Sequence, residues 1–487
     1  MTDIGDQEPS PRAESGWSDR VAVAPGTDGF AYVPGQVVTD DPGRALELAR
    51  LLYPRDDLRT EQLDVQRGRF SRLVGVSDVP GLVRHLRSND VRAQPNHVFV
   101  AHCGGGCCCG PHPAVRGGCG GGPAASPVYA SPVYASPVYA SPVYASPVYA
   151  SPVYASPVYA SPVYASPVYA SPVYASQYVA TGRRRSSARP VTPEEASTVD
   201  DMLAQISGPP PSELPDVVVL DTGLVTDANL VPARLAQLQD FVVPGGNPAA
   251  AADVPDAVPT DALLDPAAGH GTFIAGLVEQ VAPGAKVEVW RVLHPEGDGD
   301  EVGIATLIDQ LPPRGEKEGD RGAVLNLSFG GYVMEHADML AGSILAAQAR
   351  GYVVVASAGN DGVCRPTIPA SLPGVVGVGA VGPQGPAPFS NYGPWVRACA
   401  PGVDVISTFF KVFEGAETSP GPAVPDPDDF HDWARWSGTS FSAPVVAGAL
   451  VHHARTHDTT VADAVARMID HPGLLRLADM GTVVNVL

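Results

Sequence analysis

No stretch of this chain approaches the roughly 20 consecutive apolar residues needed to cross a bilayer, so no membrane-spanning helix is expected. The first residues, MTDIGDQEPSPRAESGWSDR, carry neither a basic start nor an apolar run. No ordinary secretory leader is read there, which makes the cytoplasm the expected compartment and leaves export by an unconventional route open. Basic residues are in deficit: 31 Lys and Arg face 52 Asp and Glu, a formal net charge of -21. That balance excludes a nucleic-acid binder whose affinity comes from neutralising phosphates. Cysteine is scarce and badly spread for a disulfide framework: five of the seven crowd into residues 103–119, and only Cys364 and Cys399 lie in the later half.

What is present falls into four zones, and 487 residues leave room for two or three domains. Residues 1–35 are polar and rich in Gly and Pro, and are expected to be disordered. Residues 36–101 have the pattern of a small α/β module. An apolar stretch at 70–76 predicts a strand, and Asp78 is placed to cap a helix that carries Val79, Leu82, Val83 and Leu86 on one face. His97–Ala101 predicts a second strand. Residues 102–214 begin with HCGGGCCCGPHP and continue through ten tandem copies of SPVYA at 126–175 to a basic patch, TGRRRSSARP. A proline every fifth residue blocks a regular helix or central strand, so the tract reads as an extended, disordered spacer. Pro-rich tracts also serve as ligands, which leaves a binding or cell-envelope role as its alternative.

From about residue 215 the pattern changes to short apolar strands alternating with helix-like segments. Strands are expected at 216–220, 286–293, 323–329, 352–356, 375–381 and 403–407, and helices at 272–281, 335–350 and 441–456. Near-continuous apolar strands separated by helices predict a parallel sheet covered on both faces. Two Pro-rich stretches, 244–266 and 414–429, read as surface insertions.

In such a sheet, functional groups collect at the carboxyl ends of strands and the starts of helices. Four short motifs occupy those places. Asp221 ends the run VVVLDTG, His270 lies in GHGT before a helix, Asn360 follows YVVVASAG, and Ser440 lies in SGTSFSAP before another helix. Taken singly, each has a bland explanation as a turn residue or helix cap. Together they supply what nucleophilic catalysis requires. A serine hydroxyl needs a base, the base needs a carboxylate to fix its tautomer, and a tetrahedral intermediate needs donors for its oxyanion.

The order Asp, His, Asn, Ser with these flanks resembles the subtilisin-like serine proteases. NLSFGG at 326–331, IPASLPGVVGVGAVG at 368–382, and FSNYG followed by APGVDVIST at 389–408 extend the resemblance over about 215–455. Phe441 and Ser442 stand where the family commonly has Met and Ala. The resemblance implies an α/β subtilisin-like fold and a serine endopeptidase acting on proteins or peptides without a cofactor. It further implies Asp221, His270 and Ser440 as the triad, and Asn360 as an oxyanion donor. Ser328, Phe329 and Gly330 would be an edge that pairs with substrate backbone. A scaffold that keeps the fold without the chemistry is the competing reading, although a scaffold has no need of all four reacting residues.

Two features stay outside that reading. His102, Cys103, Cys107, Cys108, Cys109, His112 and Cys119 carry soft-metal ligands, but their spacing matches no usual zinc site, so no metal is assigned. The segment Ala93-Gln94-Pro95-Asn96-His97 is similar to the end of subtilisin prodomains. It implies that residues 36–101 contact the peptidase domain as an inhibitory, folding-assisting module. In that family the prodomain directly precedes the protease, whereas here residues 102–214 intervene.

Overall fold

The computed structural model describes residues 21–24, 30–101, 186–204, 214–246, 252–256, 262–315, 319–415 and 429–484. The cluster from His102 to Cys119, the SPVYA tract, Arg183–Arg185 and much of the two Pro-rich insertions lie outside the described residues.

The N-terminal module contains β1 (Ala31–Thr39), α1 (Pro42–Leu52), β2 (Arg59–Gln62), β3 (Ser71–Val74), α2 (Val79–Arg87) and β4 (Ala93–Ala101). The Asp78 cap is in place, its carboxylate accepting from Gly81 N–H at 2.9 Å, and Val79, Leu82, Val83 and Leu86 are buried. These residues pack with Val37, Ala45, Ala49 and Leu73 into a core belonging to the module itself. Order begins before residue 36, contrary to the expected boundary: β1 starts at Ala31, and Ala22–Val23 pairs with it. The β1 sequence AYVPGQVVT contains Pro34-Gly35, a dipeptide that commonly marks turns. In the sheet that dipeptide sits where the register against β4 shifts between Tyr32 and Val37, with Gly35 at φ 74°.

The larger body is built on β5 (Val217–Asp221), α3 (His270–Val281), β6 (Val287–Arg291), β7 (Asp298–Asp300), α4 (Glu301–Gln310), β8 (Ala323–Leu327), β9 (Phe329–Gly330), α5 (Asp338–Ala349), β10 (Tyr352–Ser357), β11 (Val376–Gly382), β12 (Val396–Pro401) and α6 (Thr439–His457). The central strands run parallel in the order β12-β11-β10-β8-β5-β6, with Val242–Pro244 added beside β6. Helices α3 and α6 pack together on one face, and α4 pairs with α5 on the other. The buried strand residues explain the arrangement. Val217–Asp221 and Ala323–Leu327 are buried throughout, as a sheet covered on both faces demands.

Three expectations are corrected. Residues 405–408 do form a strand, but it pairs antiparallel with Trp433–Trp436 in a separate small sheet. Residues 186–204 belong to the body rather than to a spacer ending at 214. Arg189–Pro190 is the third strand of that small sheet, and Trp436 Nε1–H donates to Ser187 Oγ at 2.8 Å. Helix α6 also begins two residues earlier than expected, so that Ser440 lies inside its first turn rather than before it. Among the described residues, no helix is long and apolar enough to cross a membrane.

Candidate active site

Four chain segments converge at the carboxyl edge of the parallel sheet. Asp221 is the last residue of β5, an interior strand of the sheet held between β8 and β6. His270 is the first residue of α3. The preceding Gly269 adopts φ 75°, and a Cβ there would meet the Phe409 ring at 2.4 Å, so only glycine delivers the histidine at this point. Asn360 follows β10. Ser440 is the second residue of the 19-residue helix α6, where backbone N–H groups lack helical partners.

Asp221, His270 and Ser440 are each fully buried, and Asn360 is 8% exposed. His270 Nδ1 lies 2.7 Å from Asp221 Oδ1, which also accepts from Thr222 N–H at 2.8 Å. An Nδ1–H donated to this carboxylate leaves Nε2 as the basic nitrogen, and Nε2 has no hydrogen-bond partner among the described residues. The imidazole is packed edge-on to Trp436 at 5.6 Å and against Phe441 at 5.2 Å, the residue next to Ser440.

Asn360 is oriented by Thr439. Its Oδ1 accepts from both the Thr439 N–H at 3.0 Å and the Thr439 hydroxyl at 2.9 Å. With the oxygen so engaged, the amide nitrogen must face the other way. That nitrogen is buried and finds no acceptor among the described residues.

Pro444 shapes the start of α6. A proline donates no N–H, so the carbonyl four residues earlier, that of Ser440, loses its helical partner. Ser328 replaces it: its hydroxyl donates to Ser440 O at 2.8 Å, and the Ser440 hydroxyl donates back to Ser328 O at 2.8 Å. Asn326 Nδ2 in turn donates to Ser328 Oγ at 2.9 Å. In this structure the Ser440 hydroxyl therefore faces the Ser328 carbonyl, not the imidazole.

Phe329 and Gly330 form β9, and this edge is already paired. Phe329 lies opposite Ala101 and Gly330 opposite Val100, while β7 pairs with the other side of β4 from Asp298 to Asp300. Every residue of β4 is buried. Sequence reasoning missed β7, Thr439 and Thr222. Only the glycine-rich GDGD before α4 offered a signal, and it reads as a turn.

With the geometry in view, comparison with known proteins identifies the class. The model of the subtilase family matches residues 215–470, more than half of the chain, and the chain belongs to that family. It is 34% identical over 190 residues to a thermophilic serine proteinase of Bacillus sp. (strain AK1), covering 37% of this chain and 41% of that protein. It is 30% identical over 243 residues to Subtilisin Savinase of Lederbergia lenta, covering 48% of this chain and 73% of that one. The same identity over 243 residues relates it to the alkaline protease of Alkalihalobacillus alcalophilus, covering 48% and 52%. The chain thus spans about two fifths of the length of the first of these relatives.

Proposed function

We propose that this chain is a serine endopeptidase that cleaves polypeptides through an acyl-enzyme on Ser440. The mechanism is the one established for subtilisins, applied to these residues. The Ser440 hydroxyl turns from Ser328 toward His270, and Nε2 takes its proton as the oxygen attacks the peptide carbonyl. Asp221 holds the Nδ1–H and stabilises the imidazolium that forms. The oxyanion is met by Asn360 Nδ2–H and by the Ser440 backbone N–H, at the positive end of the α6 dipole. The proton then passes from Nε2 to the leaving amine, and water repeats the sequence to release the acid. Substrate lies as an added strand along Ser328, Phe329 and Gly330.

One observation carries this reading. Beside a buried 2.7 Å His270–Asp221 pair, whose Asp221 Oδ2 is itself unpartnered, two nitrogens of the site, His270 Nε2 and Asn360 Nδ2, are buried without partners among the described residues. They are the base and the oxyanion donor that acyl transfer requires. Asn360→Ala is expected to lower kcat by roughly 10²–10³, a magnitude measured on a subtilisin, with little change in KM. Turnover within a few-fold of wild type would remove Asn360 from the oxyanion site, and a rise in KM alone would make it a substrate contact instead.

The same reading makes residues 36–101 a prodomain. The pairing of β4 along both β7 and β9 supports it, because β4 occupies the edge assigned to substrate.

A further inference from the structure

Among the buried carboxyls that catalysis as described leaves unused, Asp253 is joined to the triad through hydrogen bonds of Thr222. Asp253 is 2% exposed, although it lies in a Pro-rich stretch that reads as a surface insertion. Its backbone is tied to the chain just past β5: Ala252 bridges Leu224, and Asp253 N–H donates to Leu224 O at 3.0 Å. Between this carboxyl and the triad stands Thr222. Its hydroxyl donates to Asp253 Oδ2 at 2.8 Å and accepts from Gly271 N–H at 3.0 Å, while its own N–H donates to Asp221 Oδ1 at 2.8 Å.

A hydroxyl has a single proton, and where it points decides which side the lone pairs face. Asp253 takes that proton, so a lone pair faces the Gly271 N–H and anchors the backbone next to His270. The contact is tight, since a Cβ on Gly271 would stand 2.2 Å from Gly223 O. Thr222 thereby joins the start of α3 to the end of β5, the two pieces of chain that must hold imidazole and carboxylate together.

We propose that Asp253 is a positioning residue for the His270–Asp221 pair, acting through the Thr222 hydroxyl and touching neither substrate nor the reacting atoms. The inference rests on the triad reading above. Its role is geometric rather than electrostatic. Burial pushes the Asp253 carboxyl well above the usual carboxylate range, against the Thr222 hydroxyl, the Gly269 amide and Arg291, and the Asp221 charge adds to the push. An amide oxygen at this position can accept the Thr222 bond as a carboxyl oxygen does.

The test uses the full chain, with turnover expressed per site labelled by a fluorophosphonate. Asp253→Asn is expected to keep kcat within about two-fold, with the acid limb of the pH profile unmoved. Asp253→Ala is expected to lower kcat by about ten-fold or more with KM nearly unchanged, the size expected when a reacting pair is misplaced by a fraction of an ångström. The low-field proton resonance of the His270 Nδ1–H should persist in the Asn variant and broaden in the Ala variant, a readout that needs no turnover. If Asp253→Ala does not fold, Thr222→Val cuts the same bridge and should show the same kcat loss. An unchanged kcat per labelled site in the folded bridge-cutting variant overturns the proposal. So does an Asn variant that falls as far as Ala or shifts the acid limb. A wild-type chain that takes no fluorophosphonate overturns the triad reading instead, and the resonance then decides on Asp253.

Discussion

Ser440→Ala is expected to lower peptide hydrolysis by roughly 10⁶-fold in kcat, leaving only the catalysis that oxyanion donors and substrate binding supply; the figure is that of a subtilisin triad serine. The expected effect on folding is far smaller. The substitution removes the hydroxyl that donates to Ser328 O, and a buried carbonyl short of one donor costs about 1–3 kcal/mol. The reverse bond survives, because the Ser328 hydroxyl donates to the Ser440 backbone carbonyl. Chemistry and folding are therefore separable in this variant. Circular dichroism should stay native-like while fluorophosphonate labelling disappears. His270→Ala should cost about as much, and the double variant little more than either single one, since the residues act as a unit. Turnover of an unstructured polypeptide within ten-fold of wild type in Ser440→Ala would sink the assignment.

The site was legible in the sequence because its members are local signals: a strand that ends in Asp221, and two helices that start at His270 and Thr439. What tied them together was not. Thr439 looks like a routine helix cap, yet its N–H and hydroxyl turn the Asn360 amide. Asp253 sits among prolines and alanines, and the bridge of its neighbour Ala252 to Leu224 is a contact that no local pattern announces. Short-range pattern reports periodicity and turns, not which distant strand a segment will join. For the same reason 405–408 was legible as a strand but not as a member of a separate antiparallel sheet. Strand β1 was hidden for a local reason, since Pro34-Gly35 signals a turn where the sheet needs a bulge. In α2 every level agrees, with the Asp78 cap, the apolar stripe and the buried face coinciding, and it folds where expected.

The prodomain reading carries the second large effect. Strand β4 is gripped on both edges, by β7 and β9, and Ala101 N–H donates to Gly297 O at 2.8 Å. Buried polar contacts fix its register. His97 Nδ1 lies 2.7 Å from Glu301 Oε2, and His97 Nε2 accepts from Met334 N–H at 3.2 Å. Asn96 Nδ2 donates to Asp300 at 3.1 Å, and Gln94 Oε1 accepts from Asp338 N–H at the start of α5 at 2.8 Å. A slip of one residue would turn every side chain to the opposite face and strand these groups, so the docked position is specified strongly. Val38, Leu63, Val65 and Phe70 of the module also share a core with Ala305 and Met339 of α4 and α5. Held in the same chain, such a module faces its site at an effective concentration of about 1 mM, so a docking constant of only about 1 µM in trans becomes roughly 10³-fold occupancy in cis. Substrate would then reach β9 only after the link is cut and the module leaves. The wild-type chain is accordingly expected to cut itself between residues 101 and 186, and Ser440→Ala to stay whole, as mass spectrometry of the two purified proteins would show. A chain of residues 186–487 should refold poorly alone, and residues 21–101 added in trans should raise its yield and then inhibit it. The module's own core around Leu73, Leu82 and Leu86 makes that fragment a reasonable folded reagent. An added fragment that alters neither refolding yield nor activity would leave β4 as a structural strand and end the prodomain reading.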